Sequence, residues 1–188
     1  DDATYLRRVH LDLIGTLPTG AETRAFLQND RRGKRPELVQ ALMSRPEFVD
    51  YWALKWSDRL RVDRLVLGHE NAFAYYEWIR DALRENKPLD VWARELLTAE
   101  GPLRDQPAGF FYKVAAKSGE MAAMTSQIFL GVRITCAECH QHPYDQWTQQ
   151  DYYGMRGFFD QVKYKKLDST EALMTDGNPQ AKHPRTGK

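Results

Sequence analysis

"PEFVDYWALKWSDRLRV", residues 46–62, sets the class of fold. Proline stands in its first turn, where a missing N–H costs nothing. Phe48, Trp52, Leu54 and Trp56 then follow at helical rather than alternating intervals. A strongly apolar helix is the reading of this segment, and the same period continues on both sides of it.

Upstream, Tyr5, Leu6, Val9 and Leu13 recur in three- and four-residue steps, which predicts an amphipathic helix over 3–13. Gly15 and Pro18 interrupt it. Thr19 and Glu22 have capping-box spacing and open a helix that carries Phe26 and Leu27 inward. "NDRRGKRP" is a polar loop, and "ELVQALMS" a short helix that stops before Pro46. Downstream, Phe73, Tyr76, Trp78, Ile79 and Leu83 mark a helix over about 71–86. Asp90 is the expected N-cap of "VWARELLTA", and Gly101-Pro102 ends that element. "LRDQPAGFFYKV" holds enough Pro and Gly to predict a loop with one extended turn. Helix returns over 119–131, and Thr148 with Asp151 caps another that runs to about 161. From about 167 to 188 the chain is polar and is expected to be an extended tail leading to a further C-terminal region. There is no internal repeat and no strong strand alternation. The expected fold is mainly α: a single irregular helical domain over 1–188, with long loops and an extended C-terminal tail.

The 188 residues carry 27 basic and 26 acidic side chains. That balance lacks the positive footprint that phosphate-backbone binding requires, so a nucleic-acid partner is not expected. Lys163-Tyr164-Lys165-Lys166 is the one dense basic run and reads as a solvated helix end. No apolar run approaches the length of a bilayer span. Five Trp, nine Tyr and eight Phe supply large buried areas, and for each the core is the default destination.

Both cysteines and two of the five histidines fall in "TCAECHQHPYDQW", residues 135–147. Cys136-Ala-Glu-Cys139-His140 has the C-x-x-C-H spacing of c-type haem attachment. Two thiols three positions apart lie on one side of a helical turn and can add to the two vinyl groups of a porphyrin edge. His140 is then held beside the iron as the proximal axial ligand. Three rivals compete with this reading. A thioredoxin-like pair needs a βαβ setting that the helical surroundings do not offer. A zinc site would recruit Cys136, Cys139, His140 and His142, although adjacent Cys139 and His140 turn with difficulty toward one tetrahedral ion. Purely structural burial is the third. The apolar "SQIFLGVRI" before the motif and "YDQW" after it are expected to cover a haem.

"TSQIFLGVRITCAECHQHPYDQWTQQDYYGMRGFF" closely resembles an uncharacterised domain family of large secreted proteins from planctomycetes and related bacteria. "YLRRVHLDLIGTLPTGAE", "RPEFVDYWALKWSDRLRV", "AFAYYEWIRDALRENKPLDVWARELLTAEG" and "HPRTGK" resemble further family segments, so the likeness covers nearly the whole chain. Members often carry planctomycete-type cytochrome c domains on the same chain. The resemblance therefore implies an extracytoplasmic setting (periplasmic, secreted or cell-surface) and a redox partner protein or neighbouring cytochrome domain.

The expected function is a monohaem c-type cytochrome domain passing single electrons, an electron carrier more than an enzyme. Its cofactor is one covalent haem c on Cys136, Cys139 and His140. The alternatives are a scaffolding or binding domain with a structural haem or metal, and a five-coordinate haem for ligand binding or peroxidase-like chemistry. The second axial ligand separates them. His142 lies too near His140 in the chain to reach the opposite face of the same porphyrin, so a propionate contact, a turn contact or ligation of a different centre is expected of it. Met155 is a distal candidate on the helix beginning near Thr148. Met121, Met124, His10, His69, Tyr112, Tyr152 and Tyr153 are further options. Asp58, Asp63, Arg59, Arg61 and Arg64 form a charged cluster, read as a solvated helix end with propionate contact as its functional alternative. Gly-rich phosphate loops, serine nucleophile elbows and H-E-x-x-H patterns are absent from the sequence.

Overall fold

The computed structural model describes residues 1–167 and 170–176. Helix dominates among them, as the periodicity predicts, with one small sheet. The chain gathers into two compact units: Asp1–Asp58 with Ile79–Lys87, and Arg59–Trp78 with Pro88 onward.

The first unit contains α1 (Asp2–Ile14), α2 (Gly20–Gln28), α3 (Lys34–Met43) and α4 (Pro46–Arg59, but for its last residue). It also holds residues 79–84 of α6 (His69–Arg84). Leu6, Ile14, Phe26, Leu42, Ala53, Ile79 and Ala82 are its buried apolar side chains. α1 packs on both α2 and α3. Gly15 ends α1 at φ 70°, and a β-carbon there would lie 2.4 Å from the Tyr51 ring, so only glycine fits both the turn and the approach. Asp2 pairs with Lys34 at 2.5 Å and Arg35 at 2.7 Å, tying the start of α1 to α3.

The expected capping box forms at Thr19. Its hydroxyl accepts the Glu22 N–H at 3.2 Å, and the Glu22 carboxylate accepts the Thr19 N–H at 2.7 Å. The backbone and hydroxyl donors of Thr19, with Arg45 also donating, hold the Glu22 carboxyl down at about 2. Because that value lies below the ordinary 4.5, the box is fully stabilising above pH 4.5 and loses strength as pH falls toward 2. Thr19→Ala is expected to cost about 1 kcal/mol at pH 7. The gap between variant and parent should narrow when urea unfolding is repeated at pH 3. A gap that stays constant would show that Glu22 does not feel Thr19.

The second unit is built on aromatic packing. It holds α5 (Arg64–Leu67), residues 69–78 of α6, α7 (Leu89–Leu97), α8 (Phe110–Val114), α9 (Ser118–Phe129) and α10 (Gln149–Gly157). Tyr75 stacks near Trp78 (6.0 Å) and meets Phe110 (6.2 Å), and Trp78 meets Trp92 (5.8 Å). α7 begins at Leu89 with Pro88 in the capping position, so Asp90 is a first-turn acid rather than the N-cap expected from sequence. There it still complements the helix dipole.

Two larger corrections concern the later half. "QPAGFFYKV" is not a loop: a 3-10 turn over Pro107–Gly109 leads into α8, whose Phe110, Phe111 and Tyr112 are all buried. Pro107 and Gly109 start the helix instead of breaking it. Gly109 permits close packing, since a β-carbon would lie 2.5 Å from Leu103 and 2.7 Å from Leu173. The Tyr112 hydroxyl donates to the Leu97 carbonyl at 2.8 Å, and burial pushes it up to about 12.

The basic run 163–166 is not a helix end but part of β2 (Val162–Leu167). It pairs antiparallel with β3 (Thr170–Thr175), which also pairs with β1 (Gly101–Pro102). The part of the expected tail over 170–175 is therefore a central strand with Ala172 and Leu173 buried. Lys113 of α8 reaches Glu171 of β3 at 2.7 Å. The rest of the expected tail, 168–169 and 177–188, lies outside the described residues.

Candidate haem-attachment site

The cysteine motif sits in the second unit on a 3-10 turn, Ile134–Glu138, with Cys139 as its C-cap. Side chains at i and i+3 eclipse in this geometry, so the turn has three faces. Ile134 and Ala137 form one and are buried with Tyr152; Val132, Trp147, Tyr153 and Met155 pack against them. Thr135 and Glu138 form the second, which is exposed. Cys136 and Cys139 form the third, half-buried and exposed respectively, and both thiols are free.

α10 pins this turn in place. Gln149 donates to the Glu138 carbonyl at 3.1 Å, and the Tyr153 hydroxyl reaches the same oxygen at 3.5 Å. α10 is itself started by the predicted capping box: the Thr148 hydroxyl accepts the Asp151 N–H, and the Asp151 carboxylate accepts the Thr148 N–H at 2.8 Å. Those Thr148 donors hold the Asp151 carboxyl below its ordinary range. Burial, with the neighbouring Glu138 carboxylate, pushes Tyr152 up to about 12.

The two histidines of the motif differ in the nitrogen they leave open. His140 Nδ1 lies 2.6 Å from the Gln141 carbonyl. A carbonyl only accepts, so Nδ1 carries the proton and Nε2 presents its lone pair, on an exposed ring. His142 does the reverse. Its Nδ1 accepts the Tyr144 N–H at 3.3 Å, which places the proton of a neutral ring on Nε2. The His142 N–H donates to the Trp147 carbonyl at 2.8 Å, so this residue serves the turn that closes the motif.

These features fit a covalent c-type haem. The two thiols share one accessible face, and the adjacent imidazole is held in the ligating tautomer by a backbone carbonyl. Among the described residues no group of three or more His, Cys, Asp and Glu is drawn together as a bare ion requires. The flanking apolar residues expected to cover a haem are not covered by the chain itself at Leu130, 62% exposed, or Tyr144, 94% exposed.

The remaining axial candidates fall in different settings. Met155 is half-buried against the Ile134–Ala137 face. Met121 and Met124 are buried in α9, and Tyr112 donates to Leu97. His10 is buried in the first unit with Nδ1 on the Leu6 carbonyl at 3.0 Å, while His69 begins α6 and is exposed. Within the charged cluster, Asp63 caps α5 by accepting the Leu65 N–H at 2.7 Å.

A mainly helical protein with a partly exposed C-x-x-C-H turn is the class that fold and site define. The chain matches the family PSCyt2, described as a protein of unknown function (DUF1549), over residues 1–164, and it belongs to that family. No curated protein and no solved structure matches it. No helix of the described residues is long and apolar enough to cross a membrane.

Proposed function

We propose that this chain is a monohaem c-type cytochrome domain that carries single electrons outside the cytoplasm. Its exchange partner is a redox protein or a cytochrome domain of the same parent chain. The observation that carries the reading is the juxtaposition of one accessible Cys136–Cys139 face with a His140 whose Nε2 lone pair is free. Cys136 and Cys139 would hold the haem by thioethers, each thiol adding its sulfur and its hydrogen across one vinyl double bond, which consumes no external oxidant. His140 Nε2 would be the iron ligand, with the ring fixed by its Nδ1–H on the Gln141 carbonyl. When bound, the haem supplies one-electron chemistry at its iron.

An open axial position, suited to ligand binding or peroxidase-like chemistry, is the second reading. Met155 favours it by packing against a face of the turn other than the one that bears the thiols.

The test is an absorption spectrum of oxidised and reduced protein made alongside a cytochrome c maturation system. One haem per chain that survives denaturation, with a low-spin six-coordinate spectrum, is the expected result. A high-spin five-coordinate spectrum moves the assignment to the second reading. Colourless protein sinks both.

A further inference from the structure

The second unit holds a pocket of about 560 Å3 that the haem reading does not use. Its volume falls in the range of small-molecule sites. Residues of α5, α8 and α9 wall it, together with the stretch from Phe159 to Tyr164 that enters β2. Tyr112, Met121 and Phe159 are buried and form its inner wall, with the Tyr112 and Phe159 rings 6.4 Å apart and inclined at 50°. Val66, 48% exposed, and Tyr164, 37% exposed, stand at its mouth. An apolar body seated there covers surface that these side chains otherwise leave in water, which favours binding.

Three charged side chains line the same pocket, and two of them are already matched. The Lys113 ammonium lies 2.7 Å from both carboxylate oxygens of Glu171 and 5.6 Å from the centre of the Tyr164 ring. Asp160 is paired at 3.4 Å with Arg156, which is not part of the lining. Lys163 differs. Its ammonium donates to the Asp160 backbone carbonyl at 3.1 Å and has no carboxylate partner among the described residues. A single neutral acceptor leaves two of its three donors, and its charge, for a ligand. The balance is one uncompensated positive charge beside an aromatic, mostly apolar hollow. That pattern selects a flat apolar molecule with one negative group.

We propose that this pocket binds an aromatic carboxylate of one or two rings, its ring on the Tyr112–Phe159 wall and its carboxylate on Lys163. The rings supply offset or edge-on contacts, and the ammonium supplies a charge-assisted hydrogen bond. The inference stands apart from the haem reading, because no lining residue belongs to the cysteine motif.

Calorimetric titration of the full chain with 2-naphthoate tests it, with 2-naphthamide as the uncharged analogue. Saturable binding is expected, weakened about fivefold or more in Lys163→Gln and kept within about twofold in Lys163→Arg. The amide should bind the wild type about as weakly as the carboxylate binds Lys163→Gln. Val66→Glu sets a like charge at the mouth of the pocket and should also weaken naphthoate, with circular dichroism showing the helices intact. Equal affinity of the wild type for the amide and the carboxylate overturns the proposal. So does naphthoate binding that neither Lys163→Gln nor Val66→Glu changes, or the lack of any saturable binding up to about 1 mM.

Discussion

Cys136→Ala/Cys139→Ala protein, produced with a cytochrome c maturation system, is expected to show no haem on a stained denaturing gel, where the proposal expects a haem band from the wild type. The loss should be complete, because the chain has no other cysteine to form a thioether. It should also leave the fold intact. Neither thiol is fully buried, neither is in a disulfide, and the inward packing of the turn comes from Ile134 and Ala137. Substitutions at such positions are usually within about 0.5 kcal/mol of neutral. Each single variant retains one thioether and is expected to hold haem with an altered spectrum. On the proposed reading His140→Ala would keep both thioethers but lose the Nε2 ligand, so its pigment should stay covalent and change spin state. Haem that survives denaturation in the double variant would show that attachment does not use these sulfurs. Unfolding of the double variant by several kcal/mol would instead assign the thiols a packing role.

Helix was legible wherever capping and periodicity agreed. Thr19 with Glu22 and Thr148 with Asp151 are pairs three residues apart, and both form the reciprocal hydrogen bonds their spacing predicts. The cysteine spacing was legible as a turn: Cys136 lies on a 3-10 turn and Cys139 caps it. Long-range pairing was not legible. "VKYKKL" lacks clean alternation, and its partner "TEALMT" buries only Ala172 and Leu173 in the middle of the strand. The opposite hydrogen-bonding states of His140 and His142 depend on where the carbonyl of Gln141 and the amide of Tyr144 point. The pocket gathers Val66, Tyr112, Phe159 and Lys163 from distant stretches of chain, which no local pattern encodes.

Phe111→Ala should be the most destabilising single substitution proposed, at about 3–5 kcal/mol. The side chain has no measurable exposure and meets the Tyr112 ring edge-on at 5.4 Å. Truncating it removes on the order of 150–200 Å2 of buried apolar surface, at roughly 25 cal/mol per Å2. The surroundings have little freedom to collapse into the space. Phe110 and Tyr112 on either side are buried, and Tyr112 is held by its bond to the Leu97 carbonyl. Leu65→Ala is the control: at 92% exposure it should change stability by less than about 0.5 kcal/mol. Urea unfolding of both variants in the full chain decides between two pictures of residues 107–114. A loss of several kcal/mol for Phe111 with none for Leu65 places that segment at the centre of the second unit. A loss below about 1 kcal/mol would restore the loop that Pro107 and Gly109 suggest, because a side chain on a solvated loop has little packing to lose.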